Sequence, residues 1–245
     1  MKPKINNDYY NHLGDSWYTA DNDPIAVLRA EQNAKNPWVD QIISQFFTSK
    51  DLKIADIGCG AGFLTNYLGT RYAHVSGLDA SASSLQVARE RDQSKKVHYS
   101  LGNAYHLPYE TASMDVVCAM DFLEHVERPE DVIAECSRIL KPGGLFFYHT
   151  FNRNFLSWLI VIKFMEWFVP NTPKNLHVLH LFIKPHELIK MMAIHKLQPL
   201  KTLGIAPCFN LAFFYSIIRR RVMSGFKFKI GGPKLLGYIG YARKI

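Results

Sequence analysis

Asp121, Glu124 and His125 place two carboxylates and an imidazole within five residues, directly after the apolar run Met114–Met120. Such groups, clustered at a strand end, suit proton transfer or the holding of a divalent cation. On a helix the three would fall at i, i+3 and i+4 and share one face. The plainer alternative is helix capping by Asp121, with Glu124 closing a capping box. A second chemical feature lies earlier in the chain. The stretch from Lys53 to Gly62 runs an apolar strand into glycines at 58, 60 and 62, a turn that brings bare backbone up to a small polar ligand. The next strand-like segment, His74 to Asp79, ends in an acid at the spacing of a ribose-binding carboxylate. Together these point to a nucleotide-like ligand on a doubly wound sheet.

Spacing narrows the ligand. Nicotinamide cofactors use Gly-x-Gly-x-x-Gly, whereas here Asp56 precedes Gly58, Gly60 and Gly62. A pyrophosphate favours helix N–H groups without a carboxylate crowding them. S-adenosylmethionine carries a sulfonium and an amino group and no phosphate, so Asp56 is an asset to it. The motif thereby resembles the first motif of class I methyltransferases. Residues just after the strands are the next candidates. Asp79 would accept hydrogen bonds from ribose hydroxyls, Asn103 would meet the adenine edge, and Met120 would pack on the adenine or present backbone to the cofactor. Asn103 also reads as a simple turn residue.

Those residues need a frame. The pattern predicts a helix over Trp38–Phe47, a strand over Lys53–Ile57, a helix from Phe63 to Gly69, and a second strand ending at Asp79. Ser81–Ser84 caps a helix running to about Arg91. Strands follow at Val97–Leu101 and Met114–Met120, then a helix from Pro129 to Leu140, ended by Lys141-Pro142-Gly143-Gly144. Leu145–Thr150 reads as the fifth strand and Lys234–Arg243 as a late antiparallel one. The alternation implies an α/β fold with a parallel sheet. The expectation is a Rossmann-like, doubly wound, mostly parallel seven-stranded sheet with a C-terminal antiparallel strand and a helical lid insertion. The chain divides into an N-terminal helical segment (1–50), a cofactor-binding core (51–150), an apolar lid or membrane-associating insertion (151–198) and C-terminal strands with an aromatic and basic insertion (199–245).

At 245 residues and 48% hydrophobic content the chain can bury one full core with a subdomain, and no separate large domain fits. The N-terminus lacks the apolar run of a signal peptide, and the four cysteines show neither C-x-x-C spacing nor disulfide density, so a reducing cytoplasmic setting is expected. Cys118 and Cys136 sit in apolar patterns and read as buried packing. Charge is uneven. Residues 1–150 hold 14 basic against 19 acidic side chains, while residues 151–245 hold 15 against 2, so an anionic partner belongs to the C-terminal third. Phe155–Val169 is apolar and aromatic, interrupted by Lys163 and Glu166, and is too short to span a bilayer. Leu211–Ile218 leads into Arg219-Arg220-Arg221. Both suit an interfacial helix or a lid over a greasy substrate, on the inner face of a membrane, where each basic residue contributes about 1 kcal/mol near anionic lipid. Core helices of a cap are the bland alternative. Nucleic acid is disfavoured as a partner despite the basic pI, because Met120-Asp121-Phe122-Leu123 stands where base methylators carry Asn/Asp-Pro-Pro-aromatic, and Pro-Pro occurs nowhere.

From about Arg29 to about Leu188 the chain resembles the ubiquinone-biosynthesis O-methyltransferases, which methylate polyprenyl phenols and catechols. The resemblance rests on Asp56–Gly62, Met120–Val126, Leu140–Gly144, Asn152-Arg153-Asn154 with Ser157-Trp158, and Phe182-Ile183-Lys184-Pro185. It implies that Arg29, Gly58, Asp79 and Met120 contact S-adenosylmethionine. It also implies that Asp121, Glu124 and His125 occupy positions tied in some members to a divalent cation such as Mg2+. The first of these is more often Glu, and the segment Leu203–Phe228 departs from the family's usual substrate loop. The acceptor would be a lipophilic phenol or catechol. Its proton, with a pKa near 10, must be removed or masked. Glu124 and His125 are the favoured catalytic groups; His149 reads as a plain strand residue, and His177 and His180 are distant lid candidates.

Overall fold

The computed structural model describes residues 2–245. Its sheet has eight strands: β1 (Lys53–Ile57), β2 (His74–Asp79), β3 (His98–Leu101), β4 (Met114–Met120), β5 (Leu140–Phe151), β6 (Leu197–Pro207), β7 (Phe228–Ile230) and β8 (Gly237–Lys244). They run in the order β3-β2-β1-β4-β5-β8-β6-β7, with β3 to β5 parallel and β8 antiparallel to both of its neighbours. The order reverses between β1 and β4, so the carboxyl ends of these strands open a crevice. Seven strands were expected and eight are found. The extra one, β7, pairs antiparallel with the end of β6 at the sheet edge, starting where the segment that departs from the family pattern ends.

Central strands buried on both faces need apolar side chains at every position. Ala55, Ile57, Val117, Ala119, Phe146 and Tyr148 pack on one side and Ile54, Val116, Cys118, Met120, Leu145 and Phe147 on the other. The helices are α1 (Ser16–Thr19), α2 (Pro24–Phe46), α3 (Phe63–Gly69), α4 (Ala82–Glu90), α5 (Pro129–Ile139), α6 (Phe155–Ser157), α7 (Met165–Phe168), α8 (Pro185–Ile194) and α9 (Leu211–Arg219). The first side of the sheet is covered by α5 and α8, and the second by α2 and α3. Cys118 and Cys136 are buried free thiols within this packing.

The N-terminal helix is far longer than its periodicity suggested. α2 begins with Asp23, whose Oδ1 accepts the Ala26 N–H at 2.9 Å, and with Pro24 in the first turn, where a missing N–H costs nothing. It continues through Pro37 to Phe46. A helix-breaking residue is tolerated there because one face of α2 is buried against the sheet, which offsets the roughly 3 kcal/mol intrinsic penalty.

Two insertions roof the crevice. α6, a π-helical stretch over Trp158–Phe164, and α7 form one continuous helical segment. α9 is capped by Asn210, whose Oδ1 accepts the Phe213 N–H at 2.9 Å, and is ended by Arg220 in the left-handed region. Arg220 donates to the Trp167 carbonyl at 3.4 Å, and Val222 N donates to the Asp21 carbonyl at 2.6 Å. The two insertions are thus tied to each other and to the N-terminal segment.

Candidate functional site

Beyond β1 the backbone turns through Gly58 at φ +73°, Gly60 at φ +52° and Gly62 at φ +80°, a region open to glycine and strained for other residues. Gly58 and Cys59 donate their N–H groups to the Leu78 carbonyl at 2.8 and 3.1 Å, which ties the loop to β2. A β-carbon on Gly58 would collide with the Phe122 ring, and one on Gly60 would come within 3.2 Å of Trp17. Both glycines line a cavity of about 1940 Å3. Gly62 does not. Its β-carbon would meet the Tyr99 hydroxyl at 2.5 Å, so this glycine lets α3 pack against β3 and α4.

Asp79 closes β2 beside the loop. Its Oδ2 accepts the Gly60 N–H at 2.8 Å and its Oδ1 the Ser81 N–H at 2.8 Å, while burial pushes its carboxyl up. Asp56 also lines the cavity. Burial lifts it to about 7, against a 2.6 Å hydrogen bond donated by Thr65 Oγ1. Asn103 combines both of its expected readings: its Oδ1 accepts the Tyr105 N–H at 2.9 Å in a local turn, and the residue lines the cavity beside Asp79 and Met120. The cradle suits S-adenosylmethionine. It offers unsubstituted backbone at Gly58 and Gly60, a desolvated carboxylate at Asp79 for paired hydroxyls, and acidic rather than basic character, as a cationic ligand requires.

Arg29 departs from expectation. Its guanidinium donates to the carbonyls of Trp17, at 2.9 Å, and Ala20. It pins the N-terminal strap and lines a small depression that shares Gln32 and Phe63 with the main cavity, whose own lining does not include Arg29. A long side chain on the solvent-side shoulder of α2 finds orphan carbonyls in the strap before it reaches the crevice.

The acidic cluster is rearranged more deeply. Asp121, Glu124 and His125 are not gathered around a common point: among the described residues the one group spaced to share an ion is Glu31, Asp121 and His149. Asp121 adopts φ +55° and starts no helix. Leu123–His125 is a single 3-10 turn without a side-chain cap, so the capping box does not form either. The left-handed residue turns the Asp121 carboxylate back toward α2. There Lys35 Nζ lies 2.6 Å from Oδ1 and 2.5 Å from Oδ2, Gln32 Nε2 donates to Oδ2 at 3.0 Å, and His149 Nδ1 is 2.5 Å from Oδ1. Burial alone would raise this carboxyl, but the charges of Lys35 and His149 hold it far below the usual range.

Glu124 is fully buried on the cavity wall, and among the described residues neither oxygen has a partner at good hydrogen-bond geometry, Thr150 being the polar side chain beside it. Burial, and then the negative charge of Asp121, lift its pKa to about 7. His125 is pushed down to about 4 by burial. Its Nδ1 is 3.0 Å from Asn7 Oδ1 and its Nε2 3.4 Å from the Tyr10 hydroxyl, with the His177 ring 5.3 Å away. His125 is therefore a neutral imidazole engaged with the N-terminal strap, while Glu124, like Asp56, is lifted to where it can exchange a proton near neutrality. His177, like His125, lines the cavity; His180 does not.

Several site residues carry no mark in the sequence. Asn7, Tyr10 and Trp17 fold the strap over the loop and the His125 turn. Glu31 and Lys35 form an i,i+4 pair at 3.2 Å, a spacing that signals a solvated helix face as readily as a buried one. His149, expected as an unremarkable strand residue, is completely buried between Asp121 and Glu31. At the far end the cavity is walled by Leu156, Ile160, Phe164 and Phe168 of the first insertion and by Phe213 and Ile217 of α9.

A family model described as a methyltransferase domain matches residues 55–148. A ubiquinone biosynthesis O-methyltransferase from Dechloromonas aromatica is 32% identical over 202 residues, covering 81% of this chain and 85% of its own. The enzyme of the same name from Idiomarina loihiensis is 36% identical over 156 residues, covering 62% of this chain and 64% of the relative. The match thus spans just under two thirds of that protein's length. Among solved structures, a Thermotoga maritima methyltransferase described as a possible histamine N-methyltransferase aligns with TM-score 0.65 at 17% identity, covering 97% of this chain and 99% of its own. The magnesium protoporphyrin IX methyltransferase of Synechocystis, solved with bound S-adenosylhomocysteine, aligns with TM-score 0.63 at 16% identity, covering 97% of both chains. These structural likenesses establish the Rossmann-like class I fold.

Proposed function

We propose, because the chain belongs to the ubiquinone biosynthesis O-methyltransferase family, that it methylates a phenol or catechol hydroxyl of a polyprenylated ubiquinone precursor. The observation that carries this reading is one continuous cavity. It runs from the glycine loop and Asp79, past the unpartnered Glu124, to a wall of apolar side chains on the two insertions. A small polar acceptor would need no such wall, and a nucleic acid would need a basic one.

S-adenosylmethionine, when bound, supplies an electrophilic methyl group. Gly58, Gly60, Asp79, Asn103 and Met120 would hold it, with Asp56 beneath the loop. Glu124 receives the acceptor's hydroxyl proton. Its pKa of about 7 keeps a large fraction ionised at neutral pH while leaving it basic enough to draw a proton from a hydroxyl that is losing it to methylation. His125, with its Nδ1–H directed at Asn7, orients the turn that carries Glu124. The strap and the insertions roof the crevice and shield both groups from water.

The insertions also suit docking on a membrane surface. No helix of the described residues is long and apolar enough to cross a membrane. Yet Phe155, Trp167, Phe209, Leu211, Phe214 and Ile218 are exposed, and Arg219, Arg220 and Arg221 follow in the same stretch as α9. Exposed aromatic and aliphatic side chains on both insertions, beside a basic run, fit an interface with anionic lipid. A prenylated acceptor would then enter from the bilayer without crossing water.

The test is transfer of a labelled methyl group from S-adenosylmethionine to a short-chain prenylated catechol in detergent micelles. Product that falls at least about a hundredfold in Glu124→Gln supports the assignment. Cofactor binding without product on any prenylated phenol or catechol would refute it.

A further inference from the structure

Two carboxylates and an imidazole converge beneath the acceptor end of the cavity, and a lysine already fills their centre. Lys35 is wholly excluded from solvent, as is His149, and Glu31 is nearly so. Atoms of Glu31, Asp121 and His149 lie within 4.8 Å of one another, the spacing of ligands that share one ion. The Lys35 ammonium lies 3.2 Å from Glu31 Oε2, 2.6 Å from Asp121 Oδ1 and 2.5 Å from Asp121 Oδ2. An ammonium has three N–H donors, so three carboxylate oxygens use all of them. A metal ion on the same oxygens would sit at roughly 2.0–2.6 Å from each and could not coexist with the ammonium. Without the ammonium, two buried carboxylates would share the single His149 imidazole, and a buried charge short of its partner is strongly destabilising. The cluster therefore requires a cation, and the chain provides its own from α2, 86 positions upstream of Asp121.

We propose that Lys35 is the resident cation of the Glu31–Asp121–His149 cluster, that the chain consequently takes up no divalent ion there and works without one, and that removing the ammonium opens a metal site. Glu31, Lys35 and His149 all lie outside the acid-x-x-Glu-His motif. The resident cation concerns the site of the proposed methyl transfer, but the decisive arms of its test need no substrate.

The experiment begins with full-length wild-type protein stripped by chelator and titrated with Mn2+ under electron paramagnetic resonance, with turnover and the unfolding midpoint measured before and after stripping. No stoichiometric Mn2+ uptake, and turnover and midpoint unchanged by stripping, are expected. One Mn2+ bound per chain, or turnover lost on stripping and restored by Mg2+, would overturn the proposal. The second arm titrates Lys35→Met, which keeps the aliphatic stem and removes the ammonium, with Co2+. One ion per chain, with visible ligand-field bands and a raised unfolding midpoint, is expected. Folded K35M that takes up no Co2+ would overturn the claim that a metal site lies under the ammonium. If K35M does not fold, the wild-type titration still decides. If no methylated product forms with any acceptor, the proposed function fails, while the two metal titrations continue to judge Lys35.

Discussion

Glu124→Gln removes one proton-binding group from the interior and leaves the shape unchanged. In the folded protein Glu124 is fully buried, without a hydrogen-bond partner, and lifted from 4.5 to about 7; in the unfolded chain it returns to an ordinary carboxyl. A raised folded-state pKa contributes stability that is fully present below pH 4.5. That stability is lost as pH rises toward 7, because the unfolded state releases its proton first. The shift corresponds to a loss on the order of 3 kcal/mol across that window. Glutamine has nothing to ionise, so the variant escapes this loss. Wild type and variant share every other titrating group, including Asp56, which titrates in the same window, so their difference isolates Glu124. For 245 residues an unfolding entropy of about 2 cal/mol/K per residue converts 3 kcal/mol into about 6 °C. The Gln variant should gain on wild type by about that amount between pH 4.5 and 7.5 in thermal unfolding followed by circular dichroism. A difference that stays constant from pH 4.5 to 8 would show that Glu124 titrates normally and would remove the reason for naming it the proton acceptor.

Gly58→Ala combines a positive φ with a β-carbon directed into Phe122. It should destabilise the fold by about 2 kcal/mol or more and abolish S-adenosylmethionine binding by calorimetry, whereas normal binding would displace the loop from the cradle. Asp79→Asn loses the charge in two bonds from the Gly60 and Ser81 N–H groups. Cofactor affinity should fall about tenfold to a hundredfold, and a change within about twofold would take Asp79 out of the site. Trp167→Glu with Ile218→Glu places charge on exposed positions of the two insertions, 57% and 72% accessible and outside the cavity wall. Co-sedimentation with anionic vesicles should be lost while turnover of a water-soluble catechol persists; undiminished co-sedimentation would assign membrane association to another surface.

The parts of this protein that were readable in advance are those decided by neighbours in the chain. Apolar runs at residues 53–57, 114–120 and 145–150 appear as β1, β4 and the second half of β5 because strands buried on both faces need them. The Asp56–Gly62 motif forms its turn because glycine alone enters those backbone angles without strain. Asp79 falls at the loop because a strand end lies a fixed distance along the chain. Even where the whole segment was anticipated, detail was not: α9 and β7 emerged from an insertion whose aromatic content indicated burial or an interface without saying which.

The remainder was decided by tertiary structure. Arg29 reaches strap carbonyls, Gly62 serves packing, and Asp121 faces away from Glu124 and His125 because one residue turns left-handed. A helical periodicity argument fails at that single dihedral, since it assumes the direction of every following side chain. Lys35, Glu31 and His149 were invisible for a related reason. The meaning of a lysine on a helix depends on whether its face meets water or a carboxylate brought by another strand, and that is settled only when α2 lies across the ends of β4 and β5. Thus the sequence determined the cofactor loop and the order of the elements through local conformational preference. Packing alone decided which charges meet in the interior, because those contacts join positions that no spacing along the chain relates.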